Sequence, residues 1–494
     1  MADEYSLSFS RNARQILERR YLLKDVNGQI RETPRSLLKR VAHAVAAAET
    51  LYGQNAEETA ADYFQAMATL KFLPNSPTLM NAGTDINQLS ACFVLPIADS
   101  IESIFSSLKN MALIHQSGGG TGFSFSNLRP EGDIVRTTAG VASGPVSFMR
   151  IFDTATEVIK QGGRRRGANM GILRVDHPDI LKFISSKEKD GYLTNFNISV
   201  ALTDDFMQRA LAGEEYDLVN PRTGKAVKRF NAGKVFELLV AAACQEGDPG
   251  IVFIDRINEA NPTPGLGDIE STNPCGEQPL LPNESCNLGS LNLVKFINNG
   301  EVEWEELEKS TRLAVRFLNN VIDVNKFPLP EIAKSTKANR KIGLGVMGFA
   351  EFLILLGIPY DSDQALEMGE QVMRFISNAA IAESKKLAGE RGPFPNFPGS
   401  RWEQKGYRIM RNATLTTVAP TGTISIIAST SSGIEPLFAI SYSRDVMDGT
   451  HLPEVNSLFA QTARENGFYS DKLMREIAIS GSIREIAEIP TPVR

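Results

Sequence analysis

Reactive side chains are scarce in this sequence. Its 494 residues hold four cysteines, four histidines and two tryptophans. Cys92, Cys244, Cys275 and Cys286 form no C-x-x-C pair, and His43, His115, His177 and His451 stand singly. A structural zinc site shows paired ligands at short spacing, so no metal held by protein side chains is expected. Four thiols in so long a chain are too few for a disulfide scaffold, and the default for each is a buried, inert thiol. No apolar run nears the ~18 residues of a membrane helix; the longest are Leu238–Cys244 and Phe352–Ile358. The first residues lack the apolar core of a secretion signal, so a cytoplasmic protein without membrane contact is expected. Basic excess is missing too. With 52 Lys and Arg against 58 Asp and Glu the net charge is −6. That balance excludes a general nucleic-acid binder but leaves room for small anionic ligands on local patches.

What is present is an ordinary globular composition, 42% hydrophobic and 22% charged. At about 150 residues per domain the length allows three domains, or one large barrel with an appendage. Residues 1–70 read as a helical region. Ala13, Ile16, Leu17 and Arg20 fall at helical spacing before Tyr21 and Leu22, as do Leu37, Leu38, Val41, Ala44, Val45 and Ala48. From Phe72 onward, residues 71–494, short apolar segments alternate with Gly, Ser, Thr and Asn clusters and with longer helical stretches. That texture predicts an α/β domain with mostly parallel strands. Two helices stand out. One has Asp99 and Ser100 as candidate caps, then Ile101, Ile104, Phe105, Leu108 and Met111 on one face. The other begins near Pro145 and carries Phe148, Phe152, Ala155 and Ile159. Periodicity favours core packing for both; the sharper alternative is a helix-pair dimer interface.

Three glycine-containing motifs have different weights. Gly343, Gly345 and Gly348 match G-x-G-x-x-G, but STKANRKI before them is polar and basic rather than strand-like. A dinucleotide site needs a strand there, so these glycines read as close helix packing. In Gln161–Gly167, QGGRRRG, three arginines between glycines form either a loop that wraps an anion or a solvated basic turn. Pro420–Ser425, PTGTIS, follows a strand-like LTTVA. It is either a phosphate cradle of exposed backbone N–H groups or an ordinary capped loop.

The strongest signal is NPCGEQPLLPNESCNLGSLNL, residues 273–293. In an extended segment Asn273, Cys275 and Glu277 share one face, bringing an amide, a thiol and a carboxylate together. Pro274 disfavours helix, and Gly276 lets something approach the backbone closely. A carboxylate beside a thiol disfavours the thiolate, and no histidine lies nearby to act as a base. The set suits a thiol that loses a hydrogen atom, with the carboxylate as general base for a hydroxyl. Cys92 and Cys286, if near, could supply two electrons and close to a disulfide.

These residues carry a resemblance. In order along the chain stand NSPTLMNAG, LSACFVLP with DSIESI, GGGTGF, QGGRRRGANMGIL, NPCGE, ESCNLGSLNL, and PTGTIS with SSGIEP. The chain resembles a ribonucleotide reductase catalytic subunit over nearly its whole length. NPCGE and RYLLKD…ETPRSLLKRVA are most similar to the adenosylcobalamin-dependent class II enzymes. The resemblance implies a ten-stranded α/β barrel with a helical N-terminal region, threaded by a finger loop that carries Cys275 as a thiyl radical. It implies adenosylcobalamin as the radical source and a ribonucleotide as substrate. Cys275 would abstract the 3′ hydrogen, Glu277 take the 3′-hydroxyl proton and Asn273 hold the substrate. Cys92 and Cys286 would reduce it and become a disulfide, which an external dithiol reopens; Cys244 is left as a plain core residue. By motif, Ser76, Ala91, Cys92 and Gly120 contact substrate beside Pro274 and Gly276. Pro420, Thr421, Gly422, Thr423 and Ile424 take its phosphates, whether two or three.

The resemblance also implies a deoxynucleoside triphosphate effector held near 99–116 and 145–161. Asp99, Ser100 and Ile101 would bind it with Arg129 as a phosphate contact, and Gly163, Arg164 and Arg165 would lie in the loop that senses it. A homodimer across those helices follows. No ATP-cone is expected ahead of the core. Family members continue beyond the SSGIEP region, whereas this sequence stops at TPVR with no cysteine after Cys286. The expectation is a second chain completing the barrel, or a fragment. The alternatives are a class I large subunit that needs a separate radical-generating protein, and a nucleotide-binding scaffold without catalysis.

Overall fold

The computed structural model describes residues 9–135, 140–159, 167–188, 191–446, 450–491 and 493–494. The chain opens on helices, as its periodicity predicts. Helix Pro34–Ala46 starts from a capping box, in which Thr33 and Ser36 satisfy each other's backbone N–H groups, with Pro34 in the first turn. Its stripe Leu37, Leu38, Val41, Ala42, Val45 and Ala46 is buried. The earlier helix Arg11–Ile16 passes into a π-helical turn, Leu17–Tyr21, where the Leu22 N–H reaches back to the Leu17 carbonyl at 2.9 Å.

An ion cluster fastens this helical region to the rest. Fully buried Glu49 accepts from Arg316 at 2.7 and 2.9 Å, from Arg391 at 2.7 Å and from Asn320 at 2.6 Å. These partners come from helices Trp304–Val324 and Asp363–Arg391.

Eight strands form the main sheet: β1 (Phe72–Pro74), β2 (Cys92–Val94), β3 (Gly120–Ser124), β4 (Asn169–Arg174), β5 (Phe196–Leu202), β6 (Gly250–Phe253), β7 (Glu284–Asn292) and β8 (Ile342–Met347). Strands β2 to β6 pair in sequence order, all parallel. Strand β7 runs antiparallel to β1 and β2 and parallel to β8. Two parallel halves therefore meet head to tail at β7. The segment Thr414–Thr417 runs beside β8 through a parallel bridge between Leu344 and Thr416. The expected α/β architecture is thus present, with eight strands, against the ten of the expected barrel, paired in one hydrogen-bonded sheet among the described residues.

Every residue of β3, β7 and β8 is buried, because helices cover the outside and a hairpin fills the inside. One apolar core lies between the N-terminal helices, β1, β7, β8 and the two long helices. Another, rich in phenylalanine (Phe123, Phe125, Phe152, Phe196), packs β3–β5 against helices Ile101–Gln116 and Gly144–Val158. Among the described residues no helix is long and apolar enough to cross a membrane.

Two expectations are corrected here. Gly343 and Gly345 sit in strand β8 rather than in a helix contact; only Gly348, at φ +79°, begins a helix, Phe349–Leu355. The polar residues before them mislead because Arg340 and Lys341 are buried in ion pairs, with Asp323 at 2.8 Å and Glu284 at 2.6 Å. Cys244 is exposed rather than core, because helix Ala232–Glu246 buries Ala232, Val235, Leu239 and Ala242 and turns the rest of its apolar run outward.

Candidate active site

The hairpin inside the sheet is built from Ser271–Thr272 and Pro279–Leu280, paired antiparallel. Its tip is a turn closed by the Gly276 N–H on the Asn273 carbonyl at 3.1 Å, with Pro274 second and Gly276 fourth at φ +84°. Proline there and glycine at the end suit a type I turn. Asn273, Cys275 and Glu277 are therefore not on one face of an extended strand, as alternation predicts. The turn nonetheless brings all three to one cavity.

Glycines in the surrounding strands admit the hairpin. A Cβ on Gly120 would lie 2.8 Å from Pro274 Cγ, and one on Gly122 would overlap the Thr272 carbonyl. A Cβ on Gly343 would collide with the Gln278 amide. Polar clamps complete the fit. Asn197 Nδ2 donates to the Pro274 carbonyl at 2.7 Å, and Thr417 Oγ1 donates to the Glu277 carbonyl at 2.9 Å. The Asn273 side chain braces the turn by accepting from the Gln278 N–H at 2.9 Å.

The cavity above the tip has a volume of about 310 Å³. Its wall includes Asn273, Pro274, Cys275, Glu277, Ser76, Ala91, Cys92, Gly120 and the whole of Pro420–Ile424. Of the residues expected to meet substrate, Gly276 alone stays out of the wall, since it closes the turn from behind. Cys275 is exposed at the tip. Asn273 Nδ2 donates to Cys92 Sγ at 3.1 Å, and Cys92 Sγ donates to Glu277 Oε1 at 3.8 Å. The carboxylate thus sits beside the thiol of Cys92.

Cys92 and Cys286 face each other directly across the antiparallel pair of β2 and β7. Opposed residues in such a pair lie within the ~4.4–6.8 Å Cα separation a disulfide spans. Both are buried cysteines, not joined in a disulfide, in one small apolar cluster with Ala91, Val94, Leu280, Leu288 and Ala419. Cys286 does not reach the cavity wall; its thiol donates to the Lys341 carbonyl at 3.6 Å. Burial pushes its pKa well up, Lys341 opposes this, and Glu277 and Glu284 add to it.

The loop Pro420–Ile424 enters the short helix Ile424–Ala428. Thr421 holds φ +55°, and its hydroxyl accepts from the Gly433 N–H at 2.7 Å. Ser76 begins helix Ser76–Asn81, and its hydroxyl lies 2.8 Å from the Tyr21 hydroxyl. Arg20, noted in sequence as part of a helical stripe and as the first residue of RYLLKD but not as a site residue, also lines the cavity. A charge on an otherwise inward-facing stripe was the available signal.

A second cluster lies away from this wall. Ser100 caps helix Ile101–Gln116, and Asp99 pairs with Arg129 at 2.8 Å. The exposed apolar residues Ile101 and Phe105 stand on this helix, and Ile151 and Val158 on Gly144–Val158. Of the stripe that periodicity assigns to core packing, Ile104 and Met111 are buried but Ile101 and Phe105 face outward, and on the second helix Phe152 is buried. Gly163, Arg164 and Arg165 lie outside the described residues. Among the described residues no cluster of His, Cys, Asp and Glu could hold a metal ion.

Comparison with known proteins adds two matches to family models. Residues 90–494 match the ribonucleotide reductase barrel domain, and residues 7–87 match the ribonucleotide reductase all-alpha domain. A vitamin B12-dependent ribonucleoside-diphosphate reductase of Thermoplasma acidophilum is 51% identical, over 97% of this chain and 70% of its own length. One of Mycobacterium tuberculosis is 51% identical over 100% of this chain and 71% of its own. A ribonucleoside-diphosphate reductase large chain of Neurospora crassa is 31% identical over 97% of this chain and 57% of its own.

Proposed function

Because the chain belongs to the ribonucleotide reductase family, we propose that it reduces ribonucleotides to 2′-deoxyribonucleotides through a thiyl radical at Cys275. One observation carries this reading. A single cavity gathers an exposed thiol, a carboxylate, an amide and a second thiol whose partner lies directly across a strand pair. On this reading Cys275 takes the 3′ hydrogen, forming S–H as C–H breaks, and later returns it. Glu277 takes the 3′-hydroxyl proton. The 2′ hydroxyl leaves as water, while Cys92 and Cys286 give up two hydrogens and join as a disulfide. Atoms and electrons balance as ribonucleotide plus dithiol giving deoxyribonucleotide, disulfide and water. Asn273, fixed by Gln278 and Cys92, orients the substrate. Ser76, Ala91, Gly120 and the Pro420–Ile424 loop shape its bed, the loop on the phosphate side.

We assign adenosylcobalamin as the cofactor, in line with the names of the relatives at 51% identity. When bound it supplies the radical that Cys275 receives. The chain fits such a source, because Cys275 is exposed at a hairpin tip where a bulky external group can reach it. A deoxynucleoside triphosphate effector fits the Asp99–Ser100–Ile101 corner beside Arg129. The outward apolar residues of the two neighbouring helices suit a homodimer, and a dithiol restores the Cys92–Cys286 pair. In this proposal residues 1–70 support one side of the cavity and 71–494 form the catalytic barrel. The test is an anaerobic assay with CDP, dithiothreitol and added adenosylcobalamin. Cofactor-dependent dCDP is the expected product. Turnover that ignores the cofactor and requires a separate metal-radical protein would favour the class I alternative.

A further inference from the structure

The mechanism above leaves one charged residue of the cavity wall unused. Among the described residues that line the cavity, the charged ones are Glu277 and Arg20. Arg20 lies in the π-helical turn Leu17–Tyr21. Such turns shift the side-chain register by one residue and recur at functional sites. Here the turn lets neighbouring side chains do different work. Tyr21 is fully buried, with its hydroxyl 2.8 Å from Ser76 Oγ, while Arg20 joins the cavity wall. The turn packs on helix Ser76–Asn81, and the preceding helix packs on Ile424–Ala428, where Ser10 and Ser429 hydroxyls meet at 3.0 Å. Arg20 is thus delivered between the two elements whose first residues, Ser76 and Ile424, line the cavity.

We propose that Arg20 is a substrate-binding residue that grips the phosphate end of the ribonucleotide. The idea rests on the proposed reduction, since it takes the substrate to be multiply anionic. A guanidinium presents forked donors that match phosphate oxygens, and partial removal from water strengthens the attraction. The two charged walls then sort the ends of the substrate. Glu277 repels phosphate and Arg20 attracts it, so the ribose is left over the hairpin tip.

The test is equilibrium binding of CDP and of uncharged cytidine to the full chain, for wild type, Arg20→Met and Arg20→Lys. Loss of charge-assisted hydrogen bonds should weaken CDP roughly ten- to hundredfold in Arg20→Met, with cytidine unchanged. Arg20→Lys keeps the charge without the fork and should fall between. Equal CDP affinity in all three proteins overturns the proposal. So does an equal loss for cytidine, which would mark Arg20 as a mere wall. Should Arg20→Met fail to fold, Arg20→Lys decides alone: weaker CDP with unchanged cytidine supports the contact, and wild-type affinity for CDP overturns it. A chain that shows the Arg20-dependent CDP binding yet makes no dCDP would contradict the reduction and leave this site standing.

Discussion

Replacing Gly122 by alanine tests whether the sheet positions the hairpin tip. Gly122 lies in β3, opposite Val94, with the hairpin passing over it. An added Cβ would overlap the Thr272 carbonyl oxygen and lie 2.9 Å from its carbon and 3.2 Å from Ser271 Oγ. Both obstacles belong to the hairpin strand that leads into Asn273, and a backbone carbonyl cannot swing aside as a flexible side chain can. Reaching ordinary contact requires the strand to retreat by more than about an ångström. Misplacement on that scale costs catalysis about a hundredfold, whereas overpacking a buried site costs about 1–3 kcal/mol of stability. The expected result is a roughly hundredfold drop in dCDP formation at saturating CDP, in a protein that remains folded. Gly250→Ala is the control. Its Cβ would meet the Ser199 hydroxyl at 3.0 Å, in a strand pair away from the hairpin, so turnover should persist. Wild-type turnover in Gly122→Ala, or equal losses in both variants, would refute the positioning argument.

Three further outcomes are expected. Cys275→Ser should abolish dCDP formation while CDP still binds in equilibrium dialysis; unchanged turnover would contradict the radical role. One turnover without dithiol should leave Cys92 and Cys286 joined, seen as a linked peptide pair by mass spectrometry, and a bond to Cys244 would count against the assignment. For Glu49, burial pushes the carboxyl pKa up, but hydrogen bonds from Arg316, Asn320 and Arg391 outweigh it and hold the value at about 2 against an ordinary 4.5. Its lowered pKa contributes stability present above pH 4.5, about 3 kcal/mol. That contribution is lost as pH falls from 4.5 toward 2, so urea unfolding should show an acid-side decline that Glu49→Gln removes. An unaltered pH dependence in Glu49→Gln would refute this.

Which residues meet was more legible in the sequence than how they are arranged. The types of side chain at 273, 275 and 277 announce a hydrogen-atom thiol with a base, and all three reach the cavity. Alternation places them on an extended strand, although the N-P-C-G run carries the proline and glycine of a turn. The glycines of β8 escape a periodic reading because the strand is covered on both faces, which erases the two-residue rhythm. Arg340 and Lys341 look like a solvated stretch until their distant partners, Asp323 and Glu284, are in place. Cys244 errs the other way, since a run of small apolar residues has no outward mark when half of it faces water. The pairing of Cys92 with Cys286 spans almost two hundred positions and depends on strand register, which no local pattern encodes.

That register has a directional consequence. One sulfur of the pair opens on the cavity, and the other stays off the cavity wall, turned to the Lys341 carbonyl. Oxidation would therefore staple two strands that are already neighbours, with little call on the backbone to move. A thiol arriving from the open side meets Cys92 first, making Cys286 the departing group. On the proposed cycle its buried sulfur resists carrying charge, so regeneration would need a proton delivered inward as well as electrons.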